Sequence, residues 1–258
     1  MKIALETRAG RPAAREFADR LINEIERRGS EVVADIEVHP DVVVAVGGDG
    51  TMLAAVRRSI GFDVPVLGFN LGTLGFLTEA EETDLDGVVS RLVAGDFEVE
   101  ERMTVAATIG GVTALGLNDV VVEKIDTTRL VSLDVAIDDS RFTTYRADGL
   151  VVATPTGSTA YSFSAGGPLV APGVDVLIMT PVASHSLFDR SLVLPGSSAI
   201  EITVSRDRLV KVNVDKCDLG ELGEGETVRI NRGDRPARFV SFGPSNFPTV
   251  VRNKFGLD

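Results

Sequence analysis

The stretch from residue 42 to residue 51 reads VVVAVGGDGT and joins an apolar run to a glycine-rich turn. An uninterrupted apolar run is typical of a parallel strand that is buried on both faces of a sheet. Glycines between such a strand and a helix leave backbone N–H groups free to bind an anion such as phosphate. The turn does not match the Walker pattern, because no lysine follows it and a carboxylate, Asp49, stands at its centre. The stretch therefore predicts an α/β layer with an unusual anion-binding turn.

Three roles for Asp49 are open from the turn alone. The carboxylate could accept a proton from an attacking hydroxyl in a phosphoryl transfer, or it could help to hold Mg²⁺. It could also cap the following helix in a tight turn and have no chemical role. The turn by itself favours the helix cap.

The patterns on either side of this turn divide the chain into two domains and a tail. From residue 1 to 96, strand-like and helix-like segments alternate, which predicts an α/β domain with a parallel sheet. From residue 97 to 243, short β-rich runs separated by turn signals predict a mainly β, sandwich-like domain. Residues 244–258 fit neither pattern and are expected to return to the first domain.

Within these domains, the individual elements follow from periodicity and turn residues. In the first domain, strands are expected at 2–6, 31–36, 41–46 and 64–69, and helices at 12–28, 52–58 and 82–94. In the second domain, the β-rich runs are 97–109, 112–124, 130–137, 141–153, 175–180, 200–204, 209–214, 227–231 and 237–242, and one helix is expected at 157–164.

The composition disfavours several classes of protein. The chain has 258 residues and no apolar run near the roughly 20 residues that a membrane helix needs. Its N-terminus has no signal-peptide core, so a cytoplasmic location is expected. The single cysteine, Cys217, excludes disulfide frameworks within one chain. A net charge of −12 disfavours nucleic-acid binding, which relies on Lys and Arg, and is compatible with either a high-salt habitat or ordinary acidic solubility.

Three further stretches could supply polar groups to a site. Residues 145–168, YRADGLVVATPTGSTAYSFSAGGP, bring hydroxyls around Pro and Gly after a strand, and Asp148 precedes that strand. Such groups suit a sugar or a phosphate. Residues 68–78, GFNLGTLGFLT, space glycines as in a loop that touches a ligand, and the pair Asn118-Asp119 opens an apolar strand. Taken singly, the hydroxyl-rich stretch and the Asn118-Asp119 pair are better explained as ordinary turns, and residues 68–78 have the alternative of a hydrophobic loop with glycine turns.

In combination and in this order, the four stretches closely resemble the NAD kinase family. GGDGT alone is shared with lipid kinases, and TPTGSTAY is the motif that separates NAD kinases from them. The resemblance covers about residues 41 to 195. It implies phosphorylation of the 2′-hydroxyl of the adenosine ribose of NAD, with ATP or in some members polyphosphate as donor, and a divalent metal such as Mg²⁺. It also implies a homodimer or homotetramer, without a membrane or nucleic-acid partner.

The resemblance assigns roles to individual residues. Asp49 would accept the proton of the attacking hydroxyl, and no residue is assigned as a metal ligand. The positions expected to bind NAD or ATP are Gly48, Asp49, Gly50, Thr51, Asn70, Asn118, Asp119, Arg129, Arg146, Asp148, Thr159, Ala160, Tyr161, Ser162 and Ser164. No ligand contact is assigned to residues 215–217, where Lys216 and Cys217 depart from the usual turn of the family.

Two other functions are weighed against this one. A lipid kinase would share the GGDGT turn, but it is expected to carry a basic or apolar membrane-binding surface, which an acidic chain disfavours. A non-catalytic nucleotide sensor would keep the pocket and lose turnover. The intact Asp49 weakens that hypothesis, because a site without turnover would be free to lose its carboxylate.

Overall fold

The structure is a computed structural model that describes residues 1–7, 12–72, 75–206, 208–243 and 247–257. Residues 73 and 74, in the predicted loop GFNLGTLGFLT, lie outside the described residues, as do residues 244–246 and 258 of the predicted tail. Among the described residues, no helix has both the length and the apolar character needed to cross a membrane.

The described residues form five α-helices and nineteen strands. The helices are α1 Pro12–Arg27, α2 Asp49–Ser59, α3 Leu85–Ala94, α4 Tyr161–Ser164 and α5 Phe247–Phe255. The strands are β1 Lys2–Thr7, β2 Glu31–Val33, β3 Val42–Val46, β4 Val66–Asn70, β5 Ala80–Glu81, β6 Glu98–Arg102, β7 Val105–Ile109, β8 Val112–Gly116, β9 Asp119–Lys124, β10 Val131–Ile137, β11 Ser140–Ala147, β12 Gly149–Ala153, β13 Val176–Val182, β14 Leu192–Pro195, β15 Ile200–Val204, β16 Val210–Val214, β17 Cys217–Leu222, β18 Thr227–Arg232 and β19 Ala237–Ser241.

The first of two compact units comprises Met1–Glu101 and Ala237–Asp258. Its sheet has the order β2-β1-β3-β4-β19-β6, with β5 paired to β4, and β1 to β4 are parallel. Every residue of β3 is buried, as the apolar run predicts. The apolar face of α1, with Phe17, Leu21 and Ile25, packs into the same core. This unit is the predicted α/β domain with a parallel sheet.

The sheet order places the glycine-rich turn at a favourable position for a ligand. From β1, the chain adds β2 on one side and β3 and β4 on the other, so the order reverses between β1 and β3. In open α/β sheets, ligands bind outside the carboxyl ends of the strands near such a reversal. The turn at 47–48 leaves β3 at that end of the sheet and leads directly into α2.

The second unit, Arg102–Pro236, contains two six-stranded antiparallel sheets. Their orders are β11-β10-β15-β18-β7-β8 and β14-β13-β12-β9-β16-β17. Buried residues of both sheets, such as Leu133 on β10 and Leu150 on β12, belong to one hydrophobic core. The alternation of apolar residues along these strands therefore fills a sandwich, and the predicted fold class of the chain is confirmed.

Several boundaries differ from the predicted ones. The strand predicted at 31–36 stops at Val33, because the Asp35 side chain accepts the backbone N–H of Glu37 and starts a 3₁₀ turn. The helix predicted at 157–164 is divided into a 3₁₀ turn, Thr156–Thr159, and the short α4, since Ala160 has a non-helical backbone. The helix predicted from residue 52 begins three residues earlier, at Asp49.

The largest difference concerns the last strand and the tail. The run at 237–242 was expected in the second domain, but β19 pairs with β4 and belongs to the sheet of the first unit. The tail, which matched neither pattern, forms the helix α5 in its described part. The reason for the first error is physical: a short alternating run fits any half-buried strand, and its pairing partner depends on the rest of the chain.

Candidate functional site

Asp49 is the first residue of α2, and its carboxylate is fixed by a different loop. Its Oδ1 accepts the backbone N–H of Leu77 at 3.2 Å, and its Oδ2 accepts that of Phe76 at 3.4 Å. The N-cap position of α2 belongs to Gly48, which has no side chain to offer a capping bond. The carboxylate thus binds the loop after β4 rather than its own helix, which argues against the helix-cap interpretation.

These two hydrogen bonds orient the carboxylate of Asp49 and leave it able to accept a proton or a further hydrogen bond. An ionised carboxylate has about four lone-pair positions, and the two backbone donors use only two of them. The residue is half-buried, so solvent or a ligand reaches it. The loop approaches closely because residue 75 is glycine: a Cβ there would lie 2.2 Å from Asp49 Oδ1.

Neighbouring predicted residues shape this turn and loop. Asn70, at the end of β4, is buried, and its Nδ2 donates to the carbonyl oxygen of Gly72 at 2.7 Å. It therefore fixes the start of the loop that reaches Asp49. Gly48 and Gly50 are exposed, whereas Thr51 is buried. The exposed backbone at 48–50 is the part of the turn that a phosphate can reach.

In the second unit, Asp215 holds the segment that contains Asn118 and Asp119. Its Oδ2 accepts the N–H of Leu117 at 2.6 Å, and its Oδ1 accepts those of Asn118 at 2.8 Å and Asp119 at 3.2 Å. Asp215 and Lys216 both have positive φ and form the two-residue turn between β16 and β17. Sequence analysis missed this positioning role, although an Asp at the start of a hairpin turn was a usable signal.

The TPTG turn after β12 docks onto the same segment. The backbone carbonyl of Asn118 accepts the N–H of Thr154 at 2.8 Å, and Thr154 Oγ1 donates to Leu117 O at 2.5 Å. Gly157 lies so close that a Cβ would be 2.0 Å from the carbonyl oxygen of Asn118. The structure therefore brings together the two motifs LND and TPTGSTAY, which are far apart in sequence.

Asn118 presents an unused acceptor in this region. Its Oδ1 is buried and has no hydrogen-bond partner among the described residues. A buried polar atom without a partner costs about 1–3 kcal/mol, which a donor group on a ligand would recover. The side chain is therefore suited to receive a hydrogen bond from a nucleotide.

Asp119 is buried beside a second carboxylate. Its pKa is raised to about 7, chiefly by burial and then by the negative charge of Asp215, although Lys216 and the backbone N–H of Tyr161 act in the opposite direction. Near neutral pH, Asp119 is therefore present in both protonation states. In the protonated form it can donate a hydrogen bond, and in the ionised form it can only accept.

Asp148 lies at the crossing between the two sheets and is paired with a lysine. Lys124 Nζ is 2.5 Å from Asp148 Oδ1 and 3.1 Å from the carbonyl oxygen of Thr127. Burial raises the pKa of Tyr161, and the charges of Glu123, Asp148 and Asp119 raise it further. Tyr161 thus lies near Asp119 and Asp148, two acidic residues predicted to bind NAD. Lys124, which sequence analysis did not single out, is paired with the second of them.

The remaining predicted residues of the TPTGSTAY stretch differ in accessibility. Ser164 is exposed, Ala160 is half-buried, and Thr159 Oγ1 donates to Thr156 O at 3.1 Å. Ser162, in contrast, is fully buried, with its Oγ 3.0 Å from Thr180 Oγ1. Its hydroxyl therefore points inward and supports α4, and the expectation that Ser162 touches a nucleotide stays a prediction.

Arg129 and Arg146 lie together at one corner of the second unit, where both line an open cavity. His185, near this corner in the following loop, donates its backbone N–H to the carbonyl oxygen of Arg146 at 2.8 Å. Of the predicted nucleotide-binding residues in the second unit, these two arginines are the ones that carry positive charge.

Comparisons with known proteins agree with this geometry. The ATP-NAD kinase N-terminal domain matches residues 6–97, and the ATP-NAD kinase C-terminal domain matches residues 117–242. The NAD kinase of Moorella thermoacetica is 39% identical over 275 residues, which cover 98% of this chain and 88% of that protein. The NAD kinase of Heliobacterium modesticaldum is 41% identical over 224 residues, which cover 83% and 78%.

Solved structures show the same fold. Yeast NADH kinase, crystallised with NADH, superposes with a TM-score of 0.90 at 25% identity and covers 100% of this chain and 88% of its own. An NAD kinase from Archaeoglobus fulgidus in complex with ATP has a TM-score of 0.80 at 26% identity, with coverage of 99% and 98%. The resemblance predicted from the sequence motifs is confirmed: the chain belongs to the NAD kinase family, the enzymes that phosphorylate NAD to NADP with ATP.

Proposed function

We propose that Asp49 is the general base of this reaction and that the acceptor is the 2′-hydroxyl of the adenosine ribose of NAD. The 2′-oxygen forms a bond to the γ-phosphorus of ATP, the bond from that phosphorus to the β,γ-bridging oxygen breaks, and the hydroxyl proton passes to Asp49. The observation that carries this proposal is the orientation of the carboxylate by the N–H groups of Phe76 and Leu77. Phosphoryl transfer requires mainly such positioning and the neutralisation of charge.

The second unit supplies the groups that we assign to NAD. Asn118 and Asp119 offer an acceptor and a titrating carboxyl group, and Tyr161 offers an aromatic face. The other assigned positions are Asp148, Thr159, Ala160, Ser164, Arg129 and Arg146. In the first unit, we assign Gly48, Gly50, Thr51 and Asn70 to the turn and loop around the transferred phosphate. Gly48 and Gly50 expose backbone N–H groups, while Thr51 and Asn70 act from buried positions.

A divalent metal such as Mg²⁺ is part of this proposal, and it fits best as a companion of the donor. The described residues contain no group of three or more His, Cys, Asp or Glu that could hold a metal ion. Mg²⁺ commonly keeps several waters and binds through one or two carboxylates together with substrate phosphates. Such an ion would neutralise charge on the transferring phosphoryl group. We expect ATP as donor, with polyphosphate as the alternative to be tested in parallel.

The variant Asp49→Asn tests the role of the base. It keeps the size of the side chain but cannot accept the proton, and loss of a general base typically costs 10²- to 10⁴-fold in rate. We expect NADP formation from NAD, ATP and Mg²⁺ to fall at least about 100-fold, while the dissociation constant for NAD measured by calorimetry stays within about threefold. Asp19→Asn, which makes the same change at an exposed position of α1, should retain full activity.

Two outcomes would contradict the assignment. Full turnover in Asp49→Asn would remove Asp49 from the mechanism, and loss of NAD binding would make it a binding residue instead.

The same assay with polyphosphate in place of ATP identifies the donor. We also expect a homodimer or homotetramer, which light scattering of the purified chain measures, and a cytoplasmic location, which stays a prediction.

A further inference from the structure

Three hydroxyl groups in the second unit form a row that runs from α4 to the start of β14. Ser162 Oγ on α4 lies 3.0 Å from Thr180 Oγ1 on β13, and Thr180 Oγ1 lies 3.0 Å from Ser191 Oγ. We call these three groups the hydroxyl network. Ser162 is fully buried, Thr180 is 1% exposed, and Ser191 is half-buried. The proposed function assigns no role to Thr180 or to Ser191.

Burial determines the direction of the hydrogen bonds in the hydroxyl network. A hydroxyl group has one hydrogen to donate, and its oxygen can also accept. Among the described residues, the hydrogen-bond partner of Ser162 Oγ is Thr180 Oγ1, so the hydrogen of Ser162 points to Thr180. Thr180 then donates to Ser191, whose own hydrogen can reach water because this residue is partly exposed. Thr180 therefore accepts and donates at the same time.

The inner part of the hydroxyl network is closely packed. Gly167, which follows α4, donates its N–H to the carbonyl oxygen of Ser162 at 2.8 Å. A Cβ at Gly167 would lie 2.3 Å from Ser162 Oγ and 2.8 Å from Thr180 Oγ1. Because this backbone covers both hydroxyls, a hydrogen bond that is lost there is not replaced by one to water.

The inner end of the network fixes a helix that the proposed function assigns to NAD. Ser162 belongs to the four-residue helix α4, which also contains Tyr161 and Ser164. A helix of one turn is too short to be stable by its own backbone hydrogen bonds, so its orientation depends on contacts with its surroundings. The bond from Ser162 to Thr180 attaches α4 to β13, a strand whose central residues are all buried.

The outer end of the network fixes the loop between β13 and β14. Ser191 is the last residue of this loop. The loop in turn holds the backbone of Arg146, which the proposed function also assigns to NAD. Ser186 Oγ accepts the N–H of Arg146 at 2.9 Å, and the carbonyl oxygen of Arg146 accepts the N–H of His185 at 2.8 Å. Thr180 therefore stands between two segments that carry groups for the same ligand.

We propose that the hydroxyl network positions α4 and the loop at 183–191 relative to each other, with Thr180 as the positioning residue at its centre. NAD then meets the groups of α4 and Arg146 in one fixed arrangement, and less ordering is needed when it binds. The proposal rests on the assignment of α4 to NAD in the proposed function. It does not depend on Asp49 as the general base.

The variants Thr180→Val and Thr180→Ser in the full chain test this proposal. Valine keeps the shape of threonine but neither accepts nor donates a hydrogen bond, whereas serine keeps the hydroxyl group. We expect Thr180→Val to raise the dissociation constant for NAD, measured by calorimetry, at least about tenfold. Its kcat at saturating NAD and its KM for ATP should stay within about threefold, because the turn that carries Asp49 is unchanged. Thr180→Ser should bind NAD within about threefold of the unmodified chain.

Thr104→Val is the matched control, because it makes the same change at a buried threonine outside the network. Thr104 is also 1% exposed, and its Oγ1 donates to the carbonyl oxygen of Arg235 at 2.5 Å. This variant should lose stability in urea unfolding but bind NAD within about twofold of the unmodified chain. If Thr180→Val does not fold, Ser191→Ala takes its place. It removes the outer acceptor at a half-buried position and should weaken NAD binding about three- to tenfold.

Three results would overturn the proposal. They are normal NAD binding in Thr180→Val, or in Ser191→Ala where that variant is used, binding in Thr180→Ser as weak as in Thr180→Val, and an equal loss of affinity in Thr104→Val. Tyr161→Ala tests the assignment of α4 to NAD separately. Normal NAD binding in Tyr161→Ala would contradict that assignment, whereas weak binding in Tyr161→Ala together with normal binding in Thr180→Val would contradict the role of the hydroxyl network alone.

Discussion

At the residue scale, the missing side chain of Gly75 determines where the Asp49 carboxylate can lie. A Cβ at this position would be 2.2 Å from Asp49 Oδ1, which no real contact tolerates, and 3.2 Å from Thr78 Oγ1. Displacement of a reacting group by about 1 Å can cost about 100-fold in rate. We therefore expect Gly75→Ala to lower kcat at least about 100-fold, as measured by NADP formation, with little change in KM for NAD.

The same loop offers a matched control. A Cβ at Gly72 would meet no atom within 4 Å, so Gly72→Ala adds the same methyl group without a clash. Its kcat should stay within about twofold of the unmodified chain. If Gly75→Ala were as active as Gly72→Ala, the close approach of the loop would not be what positions Asp49.

Asp119 should give the protein a pH-dependent stability. Its ordinary pKa of 3.8 rises to about 7 in the folded chain, chiefly through burial. Between these values the folded state holds a proton that the unfolded state has lost, so the free energy of unfolding decreases as pH rises from about 4 to about 7 and then levels off. Asp119→Asn cannot ionise, so it should lose this slope and be more stable above pH 7, by roughly 3 to 4 kcal/mol at most.

Urea unfolding at a series of pH values measures this effect. Asp126→Asn is the control, because Asp126 is exposed and hydrogen bonds from Thr128 lower its pKa, so its shift is opposite to that of Asp119. This variant should keep the slope of the unmodified chain between pH 4 and pH 7. Parallel slopes in Asp119→Asn and the unmodified chain would show that Asp119 ionises normally in the folded state.

At the element scale, the hairpin of β16 and β17 fixes the start of β9 through Asp215. The isosteric Asp215→Asn keeps the positive φ that Asn tolerates, but it exchanges one acceptor oxygen for an NH₂ group and removes the negative charge. We expect a loss of about 1–3 kcal/mol in the free energy of unfolding, because backbone N–H groups of residues 117–119 lose their acceptor. The KM for NAD should rise, and the pKa of Asp119 should fall because a nearby charge has gone.

A second hairpin supplies the comparison for this prediction. Asp138 also sits in a two-residue turn with positive φ, between β10 and β11, and its carboxylate accepts the N–H of Ala199 at 2.9 Å. Asp138→Asn should therefore lose similar stability in urea unfolding without a change in KM for NAD. If both variants changed KM equally, the effect of Asp215 would be general destabilisation rather than positioning of Asn118 and Asp119.

The elements also show how far the sequence could be interpreted by itself. The apolar run of β3 and the alternating pattern of the sandwich strands reflect which side chains of each strand are buried. The sequence pattern therefore predicted these strands correctly. The interactions of Asp215 with residues 117–119 and of Gly75 with Asp49 join segments that are distant in sequence. No local pattern encodes such contacts. The family resemblance indicated which residues belong to the candidate site. The structure added that the Ser162 hydroxyl points inward and that Lys124 pairs with Asp148.

At the scale of the whole molecule, each unit has its own core, but only one of them is continuous in sequence. The second unit is the single segment Arg102–Pro236, whereas the first also needs Ala237–Asp258. In the first sheet, β19 stands between β4 and β6, so β6 reaches the sheet only through β19. The predicted domain boundaries, 97 and 243, missed this dependence, because they assigned both β6 and β19 to the second domain.

Fragments of the chain test this dependence. We expect residues 102–236 to fold alone with a cooperative urea transition, because both sheets and their shared core are complete. Residues 1–101 should show no cooperative transition, since without β19 the edge of β4 is paired only by the two-residue β5 and β6 has no partner. Circular dichroism during urea titration measures both results.

A fused fragment shows whether residues 1–101 fail to fold because β19 is missing or because they are unstable in themselves. β6 and β19 are neighbouring strands, and Arg238 Nη2 lies 3.1 Å from Glu101 Oε1, so a short Gly/Ser linker can join residue 101 to residue 237. Residues 1–101 fused in this way to residues 237–258 should recover a cooperative transition, because the linker restores β19 between β4 and β6. If residues 1–101 alone were as stable as this fusion, the last strand would be dispensable for the first sheet. The folding of the α/β unit would then depend only on residues 1–101, the segment that contains the alternating pattern of strands and helices.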